Sequence, residues 1–113
     1  MITLTLYTKP VPLNQKYFVR NGRNILSNKY RQAKSDLQLE IRSQANFEPL
    51  SRNLAVNILQ YFGDKRKRDV DAYIKILLDS MEGIVYENDN QINELHAYKE
   101  YDKGNARTIV QIL

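Results

Sequence analysis

The nine residues Leu54-Ala55-Val56-Asn57-Ile58-Leu59-Gln60-Tyr61-Phe62, stopped by Gly63, constrain the fold more than any other part of the chain. They read as a β-strand that is more apolar than strict in-out alternation demands, which places the strand at the centre of its sheet. A central strand needs a partner on each side. The rest of the chain must therefore supply further strands, together with helices to cover them.

Ile2, Leu4 and Leu6 alternate with Thr3, Thr5 and Tyr7, the period of a half-buried strand that ends at Lys9-Pro10. Residues 8 to 28 then hold Pro10, Pro12, Asn14, Asn21, Gly22, Asn24 and Asn28, interleaved with Lys16, Tyr17, Phe18, Arg20 and Arg23. The stretch reads as a long irregular loop, and loops of that length in small domains usually bind something. Ser27 or Asn28 caps a helix over about 29 to 46, whose Tyr30, Ala33, Leu37 and Ile41 form one buried stripe, closed by Phe47-Glu48-Pro49. A second helix is expected over 70 to 81, with Val70, Ile74, Leu77, Leu78 and Met81 facing inward and Gly83 as its stop. Two strands, 92 to 98 and 107 to 113, close the chain as a hairpin through Lys103-Gly104-Asn105. The expected fold is α+β: one domain over residues 1 to 113, a small mixed β-sheet with two helices on one side, in the order β-α-β-α-β-β.

Several functional classes drop out. The chain has no cysteine, so a disulfide framework, thiolate catalysis and a zinc finger are excluded. Its start lacks the pattern of a signal peptide, and no segment approaches the roughly 20 apolar residues of a membrane span, so a cytoplasmic protein with no membrane partner is expected. The four glycines are isolated, which argues against a phosphate loop, and His96 is the only histidine, with no recognisable triad around it. An EF-hand also fails, because Tyr73 and Ile74 occupy positions where it needs a ligand and a glycine. No organic cofactor is indicated.

Charge is the positive signal. The net charge is +4, but residues 1 to 68 hold 13 basic against 4 acidic side chains, and residues 69 to 113 hold 4 against 9. The sign changes where Lys65-Arg66-Lys67-Arg68 meets Asp69-Val70-Asp71, with Lys75 four residues further on. Clustered cations collect phosphates. Paired carboxylates suit a hard divalent cation, which takes oxygen ligands and completes its shell with water and substrate phosphate. Side by side they point to metal-assisted cutting of a nucleic-acid backbone. Asp79 and Glu82, further along the same helix, read as helix surface. Tyr17 and Phe18 either stack on unpaired bases or pin their loop to the core.

Taken together, the Pro-rich loop with Asn14, Tyr17 and Arg20, the run Arg68-Asp69-Val70-Asp71 with Lys75, and Asp89 before Gln91-Ile92 resemble the RusA family of Holliday junction resolvases. The resemblance implies a magnesium-dependent endonuclease that works as a homodimer and makes paired cuts across a four-way DNA junction; whether manganese serves in place of magnesium stays open. It marks Asp69, Asp71 and Asp89 as the acidic metal-site residues and Lys75 as the active-site lysine. Lys65, Arg66, Lys67 and Arg68, with Asn14, Lys16, Tyr17, Arg20 and Arg23, become the DNA-binding surface. A resolvase of this kind suits a phage or prophage genome. Leu39 and Tyr61 are candidates for the surface facing the second subunit. Two rival readings stay open: a non-catalytic DNA-binding protein, and a related nuclease acting on flaps or RNA.

Overall fold

The structure, a computed structural model, describes residues 1 to 113. Its main sheet holds β1 (Ile2–Leu6), β4 (Leu54–Phe62), β5 (Ile92–Tyr101) and β6 (Arg107–Ile112) in the order β1-β6-β4-β5. As expected, β4 is central, with β5 parallel to it on one side and β6 antiparallel on the other. Its residues Leu54, Val56, Ile58 and Gln60 are buried, while Ala55, Asn57 and Leu59 are only half-buried. One face of the sheet is therefore covered. The core there unites Leu4, Leu6, Val110 and Ile112 from the sheet with Tyr30, Leu37 and Ile41 from α1 (Asn28–Gln44) and with Ile76, Leu77 and Met81 from α2 (Ile74–Met81). The predicted stripe of α1 is buried in full, and Ser27 caps the helix by accepting from the Tyr30 N–H.

Three local readings need correction. Residues 17 to 26 are not irregular: β2 (Tyr17–Arg20) and β3 (Arg23–Leu26) form an antiparallel hairpin. Asn21 and Gly22 turn it with φ of 53° and 73°, the paired left-handed geometry that an Asn-Gly dipeptide favours. This hairpin lacks a buried face, so alternating hydrophobicity could not announce it. The second helix begins at Ile74 instead of Val70, after turns in which the Ala72 N–H donates to the Asp69 carbonyl (3.2 Å) and the Ile74 N–H to that of Asp71 (3.3 Å). Finally, β5 and β6 are not a hairpin. The chain leaves β4, passes through α2 and returns parallel as β5, a crossover unit. Residues 102 to 106 then step across the end of β4, where the Asp102 N–H donates to the Phe62 carbonyl (2.8 Å), and deliver β6 to the far side. The Gly104 turn is present, with φ of 72°, but it joins strands that are not neighbours.

The exposed edge of β1 is occupied by α1. Gln44 accepts from the Thr5 N–H and donates to the Thr5 carbonyl, both at 2.9 Å, and the two oxygens of Glu40 accept from the Tyr7 and Thr8 N–H groups (2.8 and 2.7 Å). These side chains satisfy the row of backbone groups that a neighbouring strand would otherwise bind. Of the two candidate partner-facing residues, Leu39 is well exposed, while the Tyr61 ring lies under the Arg107 guanidinium at 4.0 Å.

Candidate active site

At the end of β4 the chain turns at Gly63-Asp64, and Asp64 organises the cationic run behind it. Its carboxylate pairs with Arg68 (2.8 Å) and more loosely with Arg66 (3.6 Å), and it also accepts from the Arg66 N–H (3.0 Å). The Arg68 hydrogen bond, then the one from Arg66, hold the Asp64 carboxyl well below the usual carboxylate range. Arg68 also lies over the Phe62 ring at 4.3 Å, and its side chain is only 12% exposed. The four cations are thus unequal. Arg68 is a clamp, Lys65 rests over the Tyr101 ring (5.0 Å), and Arg66 and Lys67 face solvent.

Asp69 and Asp71 follow on an exposed turn, and neither carboxylate has a hydrogen-bond or ion-pair partner. Lys75, in the first turn of α2, lies 2.9 Å from Asp79 and 3.8 Å from Asp89. Asp89 sits in a short helical turn over 89 to 91, locked by reciprocal hydrogen bonds between Asn88 and the residues after it. Its N–H donates to Glu82 Oε2 (2.9 Å), while Gln91 donates to the carbonyls of Leu50 and Arg52 (2.8 and 2.9 Å). These bonds bring Asp89 back beside the start of α2. In this conformation, however, no three carboxylate or imidazole groups lie close enough to share one ion.

Asp79 joins the site to the core. Besides Lys75 it accepts from the Tyr30 hydroxyl (2.9 Å) and meets Lys16 (3.4 Å), so one carboxylate ties together α1, α2 and the N-terminal arm, the stretch from 8 to 27 that includes the β2–β3 hairpin. Burial works to raise its carboxyl, but the hydrogen bonds from Lys75 and Tyr30 outweigh that and lower it. The bond to Asp79 in turn raises Lys75 above the ordinary lysine value, with Asp89 and Glu82 adding to the effect. Reading Asp79 as mere helix surface was therefore wrong: its side chain is only 16% exposed. The available signal was its spacing of four from Lys75, the commonest helical ion-pair register. Asp64 was missed as well, although it too lies four residues from its partner.

The arm is anchored beside these groups, since the Leu13 N–H donates to the Ala72 carbonyl (3.0 Å) and the Ser27 N–H to that of Lys16 (2.8 Å). Asn14 and Tyr17 are exposed on it, and Arg20 and Arg23 face each other across the hairpin tip. Lys16, by contrast, is largely occupied, lying between Asp79 and the rings of Tyr17 and Tyr30 (5.2 Å each).

The sequence model of the family described as endodeoxyribonuclease RusA matches residues 8–113. The chain belongs to the RusA family. It is 31% identical over 113 residues to the crossover junction endodeoxyribonuclease RusA of Aquifex aeolicus (strain VF5), an alignment spanning 98% of this chain and 90% of that protein. The RusA match takes in the arm, the cationic turn, Asp69, Asp71, α2 and Asp89 together. As a RusA-family chain it has the expected α+β architecture, and none of its helices is long and apolar enough to cross a membrane.

The chemistry of the donor set fits a divalent cation. Asp69 and Asp71 are hard oxygen donors with no competing cation, and Asp89 has only the longer contact to Lys75. Most other charged groups nearby are engaged with one another.

Proposed function

We propose that the chain is a divalent-metal-dependent endonuclease that resolves four-way DNA junctions by paired nicks, acting in the cytoplasm as a homodimer of single-domain subunits. The observation that carries this reading is the pair of unpartnered carboxylates, Asp69 and Asp71, a few residues ahead of a lysine that meets Asp89 and whose charge is held in place by Asp79. In this account Asp69, Asp71 and Asp89 would hold the metal, magnesium or manganese, which when bound would supply an activated water and charge shielding at the phosphate.

The protein's own groups supply the rest. An ordinary lysine is already charged in the neutral range and the Asp79 hydrogen bond favours that form further, so Lys75 is a poor proton acceptor and a good stabiliser of the extra negative charge at the phosphate in the transition state. Asp79 and Tyr30 fix where that ammonium sits. Arg66, Lys67, Arg20 and Arg23 are exposed and available for backbone phosphates, whereas Arg68 shapes the turn that presents Asp69. Resolution needs two symmetric nicks, and one chain carries a single acidic cluster. A two-fold dimer provides two clusters with the symmetry of the junction.

The test is a cleavage panel of four-way junctions, flaps and hairpin RNA, with magnesium added or chelated. Paired nicks confined to the four-way junction and dependent on magnesium support the proposal. Cleavage of flaps or RNA at equal rates overturns the junction assignment, and binding without any cutting leaves a DNA-binding protein only.

A further inference from the structure

A concavity of about 600 Å³ lies between the segment 8 to 15, the first half of α1 and the cationic turn. Five cations line it, Lys9, Lys29, Arg66, Lys67 and Arg68, against one carboxylate, Asp36. They come from three separate stretches of chain. The run 65 to 68 is cationic by sequence adjacency alone, but the arrival of Lys9 and Lys29 beside it is the work of the fold.

Counter-charges are scarce on this wall. Arg68, and more loosely Arg66, pair with Asp64, whereas Lys9, Lys29 and Lys67 make no ion pair. The Lys29 ammonium donates instead to Gln15 Oε1 (2.9 Å), from α1 to the N-terminal segment, and Asp36 accepts from Gln32 (2.9 Å). Like charges gathered without carboxylates repel one another until an anion joins them. The lining also indicates which anion. Tyr73 is its only aromatic residue, so the wall offers no row of rings on which successive bases of a single strand could stack. Lysines and arginines without such a platform contact the sugar-phosphate backbone and leave the bases unread. Arg68 leads directly into Asp69, so a backbone held in the groove lies beside the turn that carries the acids.

We infer that this groove holds the phosphate backbone of one duplex arm of the branched DNA, with Lys9 and Lys29 as phosphate contacts outside the DNA surface that the sequence marks. The contact is independent of base identity. The inference rests on the chain acting on branched DNA, but not on its cutting it.

The experiment compares the wild-type chain with Lys9→Ala/Lys29→Ala and with Lys34→Ala/Arg42→Ala, a control that removes the same charge from α1 outside the groove. Lys9 and Lys29 are both exposed, so the fold does not depend on them. Affinity for a four-way junction is measured from about 50 to 200 mM salt with the metal chelated. Two lost phosphate contacts flatten the logarithmic slope by about 1.8, so over this range wild-type affinity should fall about tenfold more than that of Lys9→Ala/Lys29→Ala. The control should keep the wild-type slope. Ethylation of single phosphates should locate the contact: at one patch on an arm it should weaken the wild type and leave Lys9→Ala/Lys29→Ala indifferent, whatever the sequence of that arm. An equal slope in the wild type and Lys9→Ala/Lys29→Ala, an equal flattening in the control, or no ethylation-sensitive patch that the substitution abolishes overturns the proposal. A flattened slope without any cleavage by the wild type sustains the groove while refuting the nuclease assignment, and cleavage with an unchanged slope does the reverse.

Discussion

Replacing Asp79 with Asn tests whether one carboxylate holds the site together. The substitution keeps an oxygen for the Tyr30 hydroxyl at 2.9 Å but removes the charge that meets Lys75 at 2.9 Å and Lys16 at 3.4 Å. A hydrogen bond to a charged group contributes about 1.5 to 3 kcal/mol, and the Lys75 contact is the closer of the two ion pairs. A loss of about 2 kcal/mol is expected, which for a chain of this length lowers the thermal midpoint by roughly 8 °C. The pH dependence carries a sign. The folded-state pKa of Asp79 is depressed, so its contribution is complete above the unfolded carboxylate value of about 3.9 and fades as the pH falls toward the lower folded value. Melting curves of both proteins from pH 7 to pH 3 should therefore show a constant gap down to about pH 5, narrowing below it. With Lys75 no longer anchored, junction cleavage should drop about tenfold while affinity changes little. A midpoint within 1 °C of wild type at pH 7, or a gap that widens in acid, refutes the role given to Asp79.

Further outcomes follow from the unequal cations and from the arm. Lys75→Ala should lower the single-turnover cleavage rate by about 10²- to 10³-fold with junction affinity nearly unchanged, because its charge acts chiefly in the transition state. Arg68→Ala should destabilise the fold by about 1 to 3 kcal/mol in denaturant titration, since it removes the Asp64 pair and the contact over Phe62. Lys67→Ala should leave stability alone and reduce the salt dependence of DNA binding by about one phosphate contact. Gly22→Ala, at a φ of 73°, should lower stability by about 1 kcal/mol by straining the hairpin turn.

Periodicity made the buried architecture legible. The stripe on α1, the alternation in β1 and the apolar run of β4 each face the core, so a repeating pattern recorded their environment. The β2–β3 hairpin buries no residue fully, with only Leu26 at its base reaching the core, and Asn21-Gly22 was the one sign of it. The partner of each strand was harder to read, because alternation in β5 and β6 says which face is buried and nothing about which neighbour they choose. In the candidate site, the adjacency of Arg68 to Asp69 marked the locality, and family membership extends over it. The division of labour within it was hidden. Arg68 and Asp64, like Asp79 and Lys75, look on paper like any other surface charges. Their roles come from the Phe62 ring, which the turn at Gly63 folds under Arg68, and from the Tyr30 hydroxyl, which the fold brings to Asp79 from a distant part of the chain. Lys9 and Lys29 were equally silent as scattered lysines, and they became informative only once the fold set them beside the cationic turn.

The central claim is that the free carboxylates of Asp69 and Asp71 hold the ion that makes the cut. Substitution of Asp71 by Asn tests it most directly, with binding and cleavage of one labelled four-way junction measured side by side, magnesium present or chelated. The account predicts that the variant binds the junction at least as tightly as wild type and leaves it whole, while wild type nicks opposed strands only when magnesium is supplied. Cleavage by Asp71→Asn at the wild-type rate, or by wild type in the presence of chelator, contradicts it.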